Sequence, residues 1–266
     1  MEATTIKKLI EPIRKKMPRY GTEKLHLDIK DDLVKKDIKM GRDGFLKFAR
    51  NHRLLVPKTK RYFITTDSKH FYYKSPNRIK SLTPTHSEQV FVSDITYIKL
   101  QDKHAYLALV TDLYSKKVMG YKLDDNMKVG LVKDALTMAV KNCEHKHQNV
   151  IHHSDRGIQY CCPDYSDFAT DKGMILSTTE KYDPYENAVA ERINGILKYE
   201  FGLIKTIPSL DIANKMLKES VETYNNERRH CSIEMKTPNF AHTHQTHTYK
   251  SYKKTQRKLT VQQKEC

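Results

Sequence analysis

Three acidic residues stand out because each occupies a position where an unpaired charge is costly. Asp94 lies inside an apolar, β-branched run over residues 90–98 (VFVSDITYI), and Asp155 ends a second apolar run that starts at Val150. Glu191 belongs to a segment with helical spacing, and thirty-five residues separate it from Asp155. A carboxylate in a buried strand needs an ion pair, hydrogen bonds or a metal ion. Two acids on strands and one on a helix form the set that a divalent-metal nuclease site requires.

The chemistry predicted for this set uses two Mg²⁺ ions. Mg²⁺ prefers hard oxygen ligands and keeps several waters, so a few carboxylates together with substrate phosphates suffice. Two ions roughly 4 Å apart activate a water or a 3′-hydroxyl and stabilise the leaving oxygen. We therefore predict that Asp94 bridges both ions, that Asp155 binds one and that Glu191 completes the other. Any one of these acids alone is more often a cap or a paired acid, so the prediction depends on all three.

Several residues near the three acids are candidates for further members of this site. Asn194 and Lys198 share the polar face of a helix with Glu191, so we predict that both contact phosphates. Asp112 ends a strand before a turn, where aspartate commonly caps, and we interpret it as structural. The two histidines before Asp155, at positions 152 and 153, are interpreted as packed side chains, although one of them could orient a carboxylate.

The charge distribution predicts a polyanionic partner. The 266 residues include 48 Lys and Arg against 32 Asp and Glu, a net charge of +16. Residues 1–90 carry +12, residues 91–210 carry −1, and residues 211–266 carry +5. A near-neutral central segment that holds the acids, between two basic segments, indicates that the basic segments bind nucleic acid and that the central segment carries the chemistry. A solvated basic surface without a partner is the alternative.

The cysteines and the hydropathy predict a cytoplasmic protein. The five cysteines are odd in number and form no C-x-x-C pair, and no signal peptide or eighteen-residue apolar run is present. We therefore expect a reducing compartment, no membrane association and no zinc cluster.

The apolar runs predict an α/β fold with a ribonuclease-H-like mixed five-stranded sheet and flanking helices. Strands are predicted at residues 90–98, 105–111, 118–123, 150–153 and 175–178, with helices between and after the last three. The short connections make the first three strands an antiparallel meander. The fourth strand is most simply parallel to the first, because a helix crosses over between them.

A small helical region is predicted to precede this core. Residues 1–20 look basic and weakly helical, broken by Pro12 and Pro18, and two amphipathic helices follow up to residue 55. Two short helices with a basic second one fit a helix-turn-helix-like DNA-binding region. Its predicted DNA contacts are Lys47, Arg50 and Arg53. The alternative is a helical hairpin that only packs on the main domain.

The rest of the chain divides by composition. Residues 56–88 form a predicted basic, aromatic linker, in which Lys58, Lys60 and Arg61 neutralise phosphates and aromatic rings stack or anchor to a groove; a disordered connector is the alternative. The predicted divisions that follow are the catalytic core (89–205), a helical extension of the core (206–240) and a basic, disordered tail (241–266). Tyr185 is predicted to contact DNA from a loop before the Glu191 helix.

Several motifs together resemble one known family. They are residues 93–98 (SDITYI), residues 153–160 (HSDRGIQY), residues 187–191 (NAVAE) with Leu197-Lys198, and Tyr224-Asn225 with Arg228 and His230 before Thr237-Pro238. In combination they resemble bacterial insertion-sequence transposases of the DDE type, specifically the second-reading-frame (OrfB) catalytic subunit related to retroviral integrases. The resemblance covers about residues 15–240. Phe91 stands where this family usually has Trp, and Glu186 where it usually has Asp, and both replacements preserve the side-chain character.

The resemblance implies a catalytic Asp-Asp-Glu triad. Asp94, Asp155 and Glu191 would bind Mg²⁺ or Mn²⁺, cut the element's end to free a 3′-hydroxyl, and join that hydroxyl to another strand without a covalent enzyme intermediate. Arg156, Asn187 and Arg228 lie in or beside the matching motifs and are predicted to contact DNA.

The resemblance also implies the partners of the chain. They are double-stranded DNA (the terminal inverted repeats of the element and the target), a first-reading-frame product or fusion, and further copies in a homodimer or larger assembly at the bacterial nucleoid. Two other functions stay open from the residues: a nuclease of the same fold that only hydrolyses, and a DNA-binding accessory or regulatory protein.

Overall fold

The strands predicted from the apolar runs form one five-stranded sheet. The computed structural model describes residues 2–57, 70–144, 149–180 and 187–249. Within those ranges the elements are α1 (Glu2–Lys16), α2 (Thr22–Lys35), α3 (Arg42–Asn51), β1 (Val90–Lys99), β2 (His104–Asp112), β3 (Val118–Asp124), α4 (Val129–Lys141), β4 (Val150–Ser154), α5 (Ile158–Cys161), α6 (Pro163–Asp171), β5 (Met174–Thr178), α7 (Ala188–Glu200), α8 (Leu210–Asn226) and α9 (Pro238–His244). None of these helices is long and apolar enough to cross a membrane.

The sheet has the predicted mixed topology. Its strand order is β3-β2-β1-β4-β5. Strand β2 pairs antiparallel with both β1 and β3, and β4 pairs parallel with both β1 and β5. The register of β1 and β4 pairs Ser93 with Ser154. Asp94 follows Ser93 within β1, and Asp155 follows Ser154 just after β4 ends. The topology therefore brings these two acids to one end of the β1–β4 pair.

Helices cover both faces of the sheet. Successive β1 residues alternate between two hydrophobic clusters: Val90 and Val92 pack with α7 and α8, whereas Phe91 packs with α4. Helix α4 approaches β3 closely at Gly120, where an added Cβ would lie 2.1 Å from the Ala135 carbonyl oxygen. These helices fix the sheet from both sides and leave the acid-bearing end open to the loops.

Helix α1 continues through a proline that was predicted to break it. The helix runs to Lys16 with Pro12 inside it and ends before Pro18. A proline within a helix costs about 3 kcal/mol or more, because it removes a hydrogen bond and crowds the preceding turn. Ile6 and Ile10 are almost completely buried in the main core. Packing of these side chains offsets the cost, and the prediction of a break at Pro12 is wrong.

The three N-terminal helices pack against the sheet and the segment that follows α8 rather than standing apart. The Arg229 backbone N–H donates to the Tyr20 hydroxyl at 3.2 Å, and the Arg229 guanidinium pairs with Asp28 on α2. The Arg14 guanidinium donates to the Leu54 carbonyl, which ties α1 to the segment after α3. The apolar side chains of the three helices belong to the same cluster as β1 and α7. The helices and the sheet therefore form one packed unit.

The start of the C-terminal tail is ordered, contrary to its polar composition. Residues 241–249 were predicted to be disordered, but His242 is 1% exposed, with Nε2 3.1 Å from Glu88 Oε1 and Nδ1 3.0 Å from Ser115 Oγ. These partners lie more than a hundred residues earlier in the chain, so local composition carries no sign of them. Residues 250–266 lie outside the described ranges.

Candidate active site

Asp94 lies in the middle of β1, where burial and neighbouring acids act on its carboxyl group. Burial, followed by the charge of Asp155 and that of Glu191, raises the pKa of Asp94 well above its ordinary value. A hydrogen bond works in the opposite direction, because Asn194 Nδ2 donates to Asp94 Oδ2 at 2.8 Å. The three predicted acids therefore lie close enough for their charges to interact.

Asp155 is held in place by the turn between β4 and α5. Its Oδ1 accepts a hydrogen bond of 3.0 Å from the Gly157 backbone N–H. An added Cβ at Gly157 would lie 3.0 Å from that same oxygen, so a larger residue there would displace the carboxylate. The backbone of the turn thus holds one edge of the Asp155 carboxylate, and glycine at position 157 leaves room for it.

Glu191 is exposed and lies in the first turn of α7. Although the side chain reaches solvent, partial desolvation of its carboxyl group by the surrounding protein, followed by the charge of Asp155, raises its pKa above the ordinary value. The helix is anchored beneath the acid by buried Ile193 and Leu197, and at its N-cap by Asn187, whose Nδ2 donates to the Ser93 carbonyl at 3.1 Å. Because Ser93 precedes Asp94, this bond fixes the start of α7 against the strand that carries the central acid.

Lys198 completes the polar side of α7 near the acids. Its Nζ donates to Thr96 Oγ1 at 2.8 Å and lies 4.1 Å from the centre of the Tyr97 ring. Burial lowers the pKa of Lys198, against the attraction of Asp94. The ammonium group is thus a positive charge beside Asp94, held by residues of the same strand.

The donor set fits a divalent cation. Hard carboxylate oxygens from β1, from the turn after β4 and from α7 are the ligands that Mg²⁺ and Mn²⁺ prefer. Burial and then the repulsion between the acids raise the pKa values of Asp94 and Glu191, and a bound cation would relieve the repulsion. Across the described ranges, no group of three or more His, Cys, Asp or Glu side chains closes into a ligand cluster.

Replacing Asp94 by asparagine is expected to stabilise the metal-free protein near neutral pH. A raised carboxyl pKa favours the fold below the ordinary pKa of about 3.8, and that contribution is lost as pH rises. The wild-type Tm should therefore fall as pH rises from 4 to 7 in EDTA and recover with Mg²⁺. Each kcal/mol of relieved repulsion raises Tm by about 2–4 °C in a chain of this size. Thermal scans of Asp94→Asn should show a higher Tm in EDTA and a smaller Mg²⁺ response, and a lower Tm in EDTA would contradict this account.

The residues interpreted as structural behave as predicted. Asp112 is fully buried and accepts hydrogen bonds of 2.6 Å from the backbone N–H groups of Glu88 and Ser115. His152 Nε2 lies 2.7 Å from Ser93 Oγ, and burial lowers its pKa to about 3, so the ring is neutral. His153 Nδ1 lies 2.9 Å from Ser177 Oγ. These three side chains brace the strands that carry the acids.

Three of the predicted DNA contacts are committed to the protein itself. Arg228, which was predicted to contact DNA, is 1% exposed and makes two 2.8 Å hydrogen bonds to the Glu200 carboxylate, so its guanidinium is engaged within the protein. Asn187 and Asn194 are also buried, and their amides bond the Ser93 carbonyl and the Asp94 carboxylate rather than reaching a phosphate. The polar periodicity that placed Asn194 beside Glu191 was correct, but its partner is the acid.

The other predicted contacts differ in their surroundings. Lys47, Arg50 and Arg53 are exposed on α3 and just after it. Arg156 is half-buried beside Asp155, and its Nε donates to the Thr179 carbonyl at 2.5 Å. Lys58, Lys60, Arg61 and Tyr185 lie outside the described residues.

Sequence reasoning missed Tyr160 as a neighbour of the acids. Its ring is buried, its hydroxyl has no hydrogen-bond partner among the described residues, and burial, the nearby Tyr165 and the charges of Asp155 and Asp94 raise its pKa well above 10. The available signal was its position five residues after Asp155, which places it on the one-turn helix that follows the acid.

Comparisons with known proteins agree with this fold. Models described as integrase core domain match residues 84–184 and 172–238. Over 216 residues the chain is 32% identical to the uncharacterized 31 kDa protein of insertion element IS600 from Shigella sonnei, covering 80% of this chain and 78% of that protein. It is 34% identical over 161 residues to the transposase InsF of insertion sequence IS3A from Escherichia coli K12, covering 60% of this chain and 52% of InsF.

A solved structure supports the fold. The chain superposes on a chain of the simian T-cell lymphotropic virus intasome, determined by cryo-electron microscopy in complex with the PP2A regulatory subunit B56 gamma, with a TM-score of 0.52. The match covers 88% of this chain and 75% of that chain at 17% sequence identity. At this identity the likeness is evidence for the ribonuclease-H-like fold alone.

Proposed function

This chain belongs to the DDE transposases of bacterial insertion sequences, and we propose that it cuts the ends of its element and joins them to another DNA strand. In the first reaction a water attacks the phosphorus at the element's end, the bond to the 3′-oxygen breaks, and a 3′-hydroxyl is released. In the second reaction that hydroxyl attacks a phosphodiester in the other strand, and the 3′-oxygen of that phosphodiester leaves. No bond between protein and DNA forms in either reaction.

The observation that carries this proposal is that β1, β4 and α7 bring the three carboxylates to one end of the sheet. Asp94, Asp155 and Glu191 come from β1, from the turn after β4 and from α7, and each feels the charge of at least one other. A stable fold has no need to bring three acids together, since their repulsion costs free energy unless a cation compensates it. We propose that these three residues are the catalytic residues and the metal ligands.

The residues around the acids have separate roles in this proposal. Two Mg²⁺ or Mn²⁺ ions, when bound, would supply Lewis-acid stabilisation of the pentavalent phosphate and a lowered pKa for the attacking hydroxyl. Asn194 orients the Asp94 carboxylate through its 2.8 Å hydrogen bond, and Gly157 orients that of Asp155. Lys198, beside Asp94, supplies a positive charge for a phosphate oxygen that approaches the acids.

The partners in this proposal follow from charge and from the family. Double-stranded DNA, as element ends and as target, contacts the exposed basic residues Lys47, Arg50 and Arg53 of the helix-turn-helix-like region, together with Arg156 beside the acids. Two ends have to be joined in a coordinated way, so the working form on DNA is a homodimer or larger assembly. A product of the first reading frame, or a fusion with it, supplies recognition of the terminal repeats. The activity is exerted on the DNA of the bacterial nucleoid.

The direct test supplies the purified chain with its own element ends. Labelled duplexes that carry each end are incubated with Mg²⁺, Mn²⁺, Ca²⁺ or EDTA, and the strands are resolved on a denaturing gel. We expect a nick that frees the 3′ end, followed by longer joined products, with Mg²⁺ or Mn²⁺ only. A second duplex with the end already cut isolates the joining reaction.

The outcomes separate the three candidate functions. Nicked strands without joined products from the pre-cut duplex would identify a hydrolytic nuclease. Salt-sensitive binding with no metal-dependent product, either alone or with the first-frame product added, would identify a DNA-binding accessory protein. Either result would overturn the proposal.

A further inference from the structure

A segment with no regular secondary structure covers the free edge of the sheet. We call residues 70–80 the edge strap. Strand β5 lies at one edge of the sheet, and the strap is bonded alongside it: Thr178 Oγ1 donates to the Ser75 carbonyl at 2.6 Å, and the Arg78 backbone N–H donates to Ser177 Oγ at 2.9 Å. These bonds fix the strap on the sheet, and its position is therefore defined relative to the acids.

The first residues of the strap lie next to Asp155. His70 Nε2 is 2.8 Å from the carbonyl oxygen of Arg156, the residue that follows Asp155. Lys74 Nζ donates to the carbonyl groups of His70 and Tyr72, at 2.8 Å and 3.2 Å, and so closes this end of the strap on itself. The strap therefore begins at the same end of the sheet as the acid site.

Aromatic side chains alternate between the two sides of the strap. Tyr72 packs inward on the hydrophobic cluster beneath α4. Its two neighbours point outward, and Phe71 is 91% exposed and Tyr73 is 79% exposed. The Phe71 ring centre lies 4.7 Å from that of Tyr72, but most of the surface of the Phe71 and Tyr73 rings makes no contact within the described protein. Their placement indicates a ligand.

We propose that Phe71 and Tyr73 form a stacking platform for unpaired bases of the DNA strand that enters the acid site. Aromatic rings stack on any exposed base, whereas bases in an intact duplex are already stacked on each other. The platform adjoins the turn that carries Asp155, so a strand whose phosphate lies at the acids would bring its neighbouring bases to the strap. This inference rests on the proposed function only in taking DNA as the ligand.

The size of the exposed patch argues against a protein partner. Two aromatic side chains contribute at most about 300–500 Å² of surface. A stable protein interface needs about 800 Å² on each partner. Stacking of one or two bases, by contrast, needs no more surface than two aromatic rings offer. The net charge of +16 favours a nucleic acid in the same place.

The test uses the absence of tryptophan from the chain. Phe71→Trp and Tyr73→Trp each introduce the protein's single tryptophan, and Phe240→Trp, on α9 with 44% exposure, is the matched control. Each variant is titrated in EDTA with two duplexes of equal length, one fully paired and one with three unpaired nucleotides at its end. We expect quenching of tryptophan fluorescence at positions 71 and 73 by the end with unpaired nucleotides, weak quenching by the paired end, and no such difference at position 240.

Affinity measurements complete the test. Removing either ring, by Phe71→Ala or Tyr73→Ala, should weaken binding of the end with unpaired nucleotides by roughly 5- to 150-fold and leave binding of the paired duplex nearly unchanged. Equal losses on both duplexes, or no loss on either, would overturn the platform. A change in oligomeric state in sedimentation, without a change in DNA affinity, would assign the rings to a contact between protein copies and also overturn it. Because these measurements exclude divalent ions, their failure is separate from a failure of the catalytic proposal.

Discussion

Asp155→Asn is expected to reduce both end cleavage and strand joining by at least about a thousandfold. The substitution keeps the shape and the Oδ1 acceptor for the Gly157 N–H but removes the negative charge. A metal-assisted phosphoryl reaction gains several kcal/mol from its ions, and each 1.36 kcal/mol is a factor of ten in rate. The measurement is the initial rate of product formation on uncut and pre-cut element ends at saturating Mg²⁺.

The matched control for this variant is Asp167→Asn, which removes the same charge from the exposed surface of α6. It should cleave and join at the wild-type rate. Asp155→Asn should still bind the element ends, because removing a negative charge next to a phosphate does not weaken electrostatic attraction. Full activity of Asp155→Asn would refute the assignment of the three acids, and loss of DNA binding as well as activity would show that the fold, not the chemistry, had been damaged.

Arg228→Ala is expected to lower the free energy of unfolding by about 3–5 kcal/mol, because it leaves the mostly buried Glu200 carboxylate without its counter-charge. Burial disfavours the charged form of Glu200, but the hydrogen bonds and charge of Arg228 outweigh burial and hold the Glu200 pKa below 4.5. That contribution is present above pH 4.5 and lost as pH falls through the lower, folded-state value. Urea unfolding at pH 7 measures the effect.

A surface ion pair provides the comparison for this second variant. Lys16 Nζ lies 2.6 Å from Glu227 Oε1, but both side chains are about half exposed. Lys16→Ala should therefore lower the free energy of unfolding by at most about 1 kcal/mol. The Arg228→Ala effect should shrink at acidic pH as Glu200 becomes protonated, and a wild-type unfolding midpoint for Arg228→Ala would refute the buried pair. If the arginine instead served DNA, the variant would unfold normally and bind DNA more weakly.

The placement of the acids could be predicted because it depends on local patterns and on one topological rule. The apolar run around Asp94 predicts a strand, and the helix between it and the run ending at Asp155 predicts a parallel crossover. The register of Ser93 with Ser154 then follows the expected geometry. Glu191 could be placed on the polar face of α7 from the spacing of Ile193 and Leu197 alone.

The features that could not be predicted share one physical cause, which is that burial of a polar side chain depends on partners far away in the sequence. Nothing near Arg228 in the sequence identifies Glu200 as its partner, and its place in a matching motif predicts only a DNA contact. Likewise, His242 is bound by Glu88 and Ser115, and the composition around it predicted disorder. The edge strap is similar, because its bonds to Ser177 and Thr178 cross about a hundred residues.

The packing of α1, α2 and α3 on the sheet fixes the distance between the basic residues of α3 and the acids. Helix α2 is fixed to the core through Asp28 and Arg229, and the segment after α3 is fixed to α1 through Leu54 and Arg14. The exposed basic residues of α3 therefore stand at a set separation from Asp155, whatever the length of the chain between residues 57 and 70. If those residues bind DNA as proposed, the number of base pairs between the DNA that α3 contacts and the cleaved phosphodiester is constant. Inserting glycines after Pro57 should then leave the cleavage position unchanged.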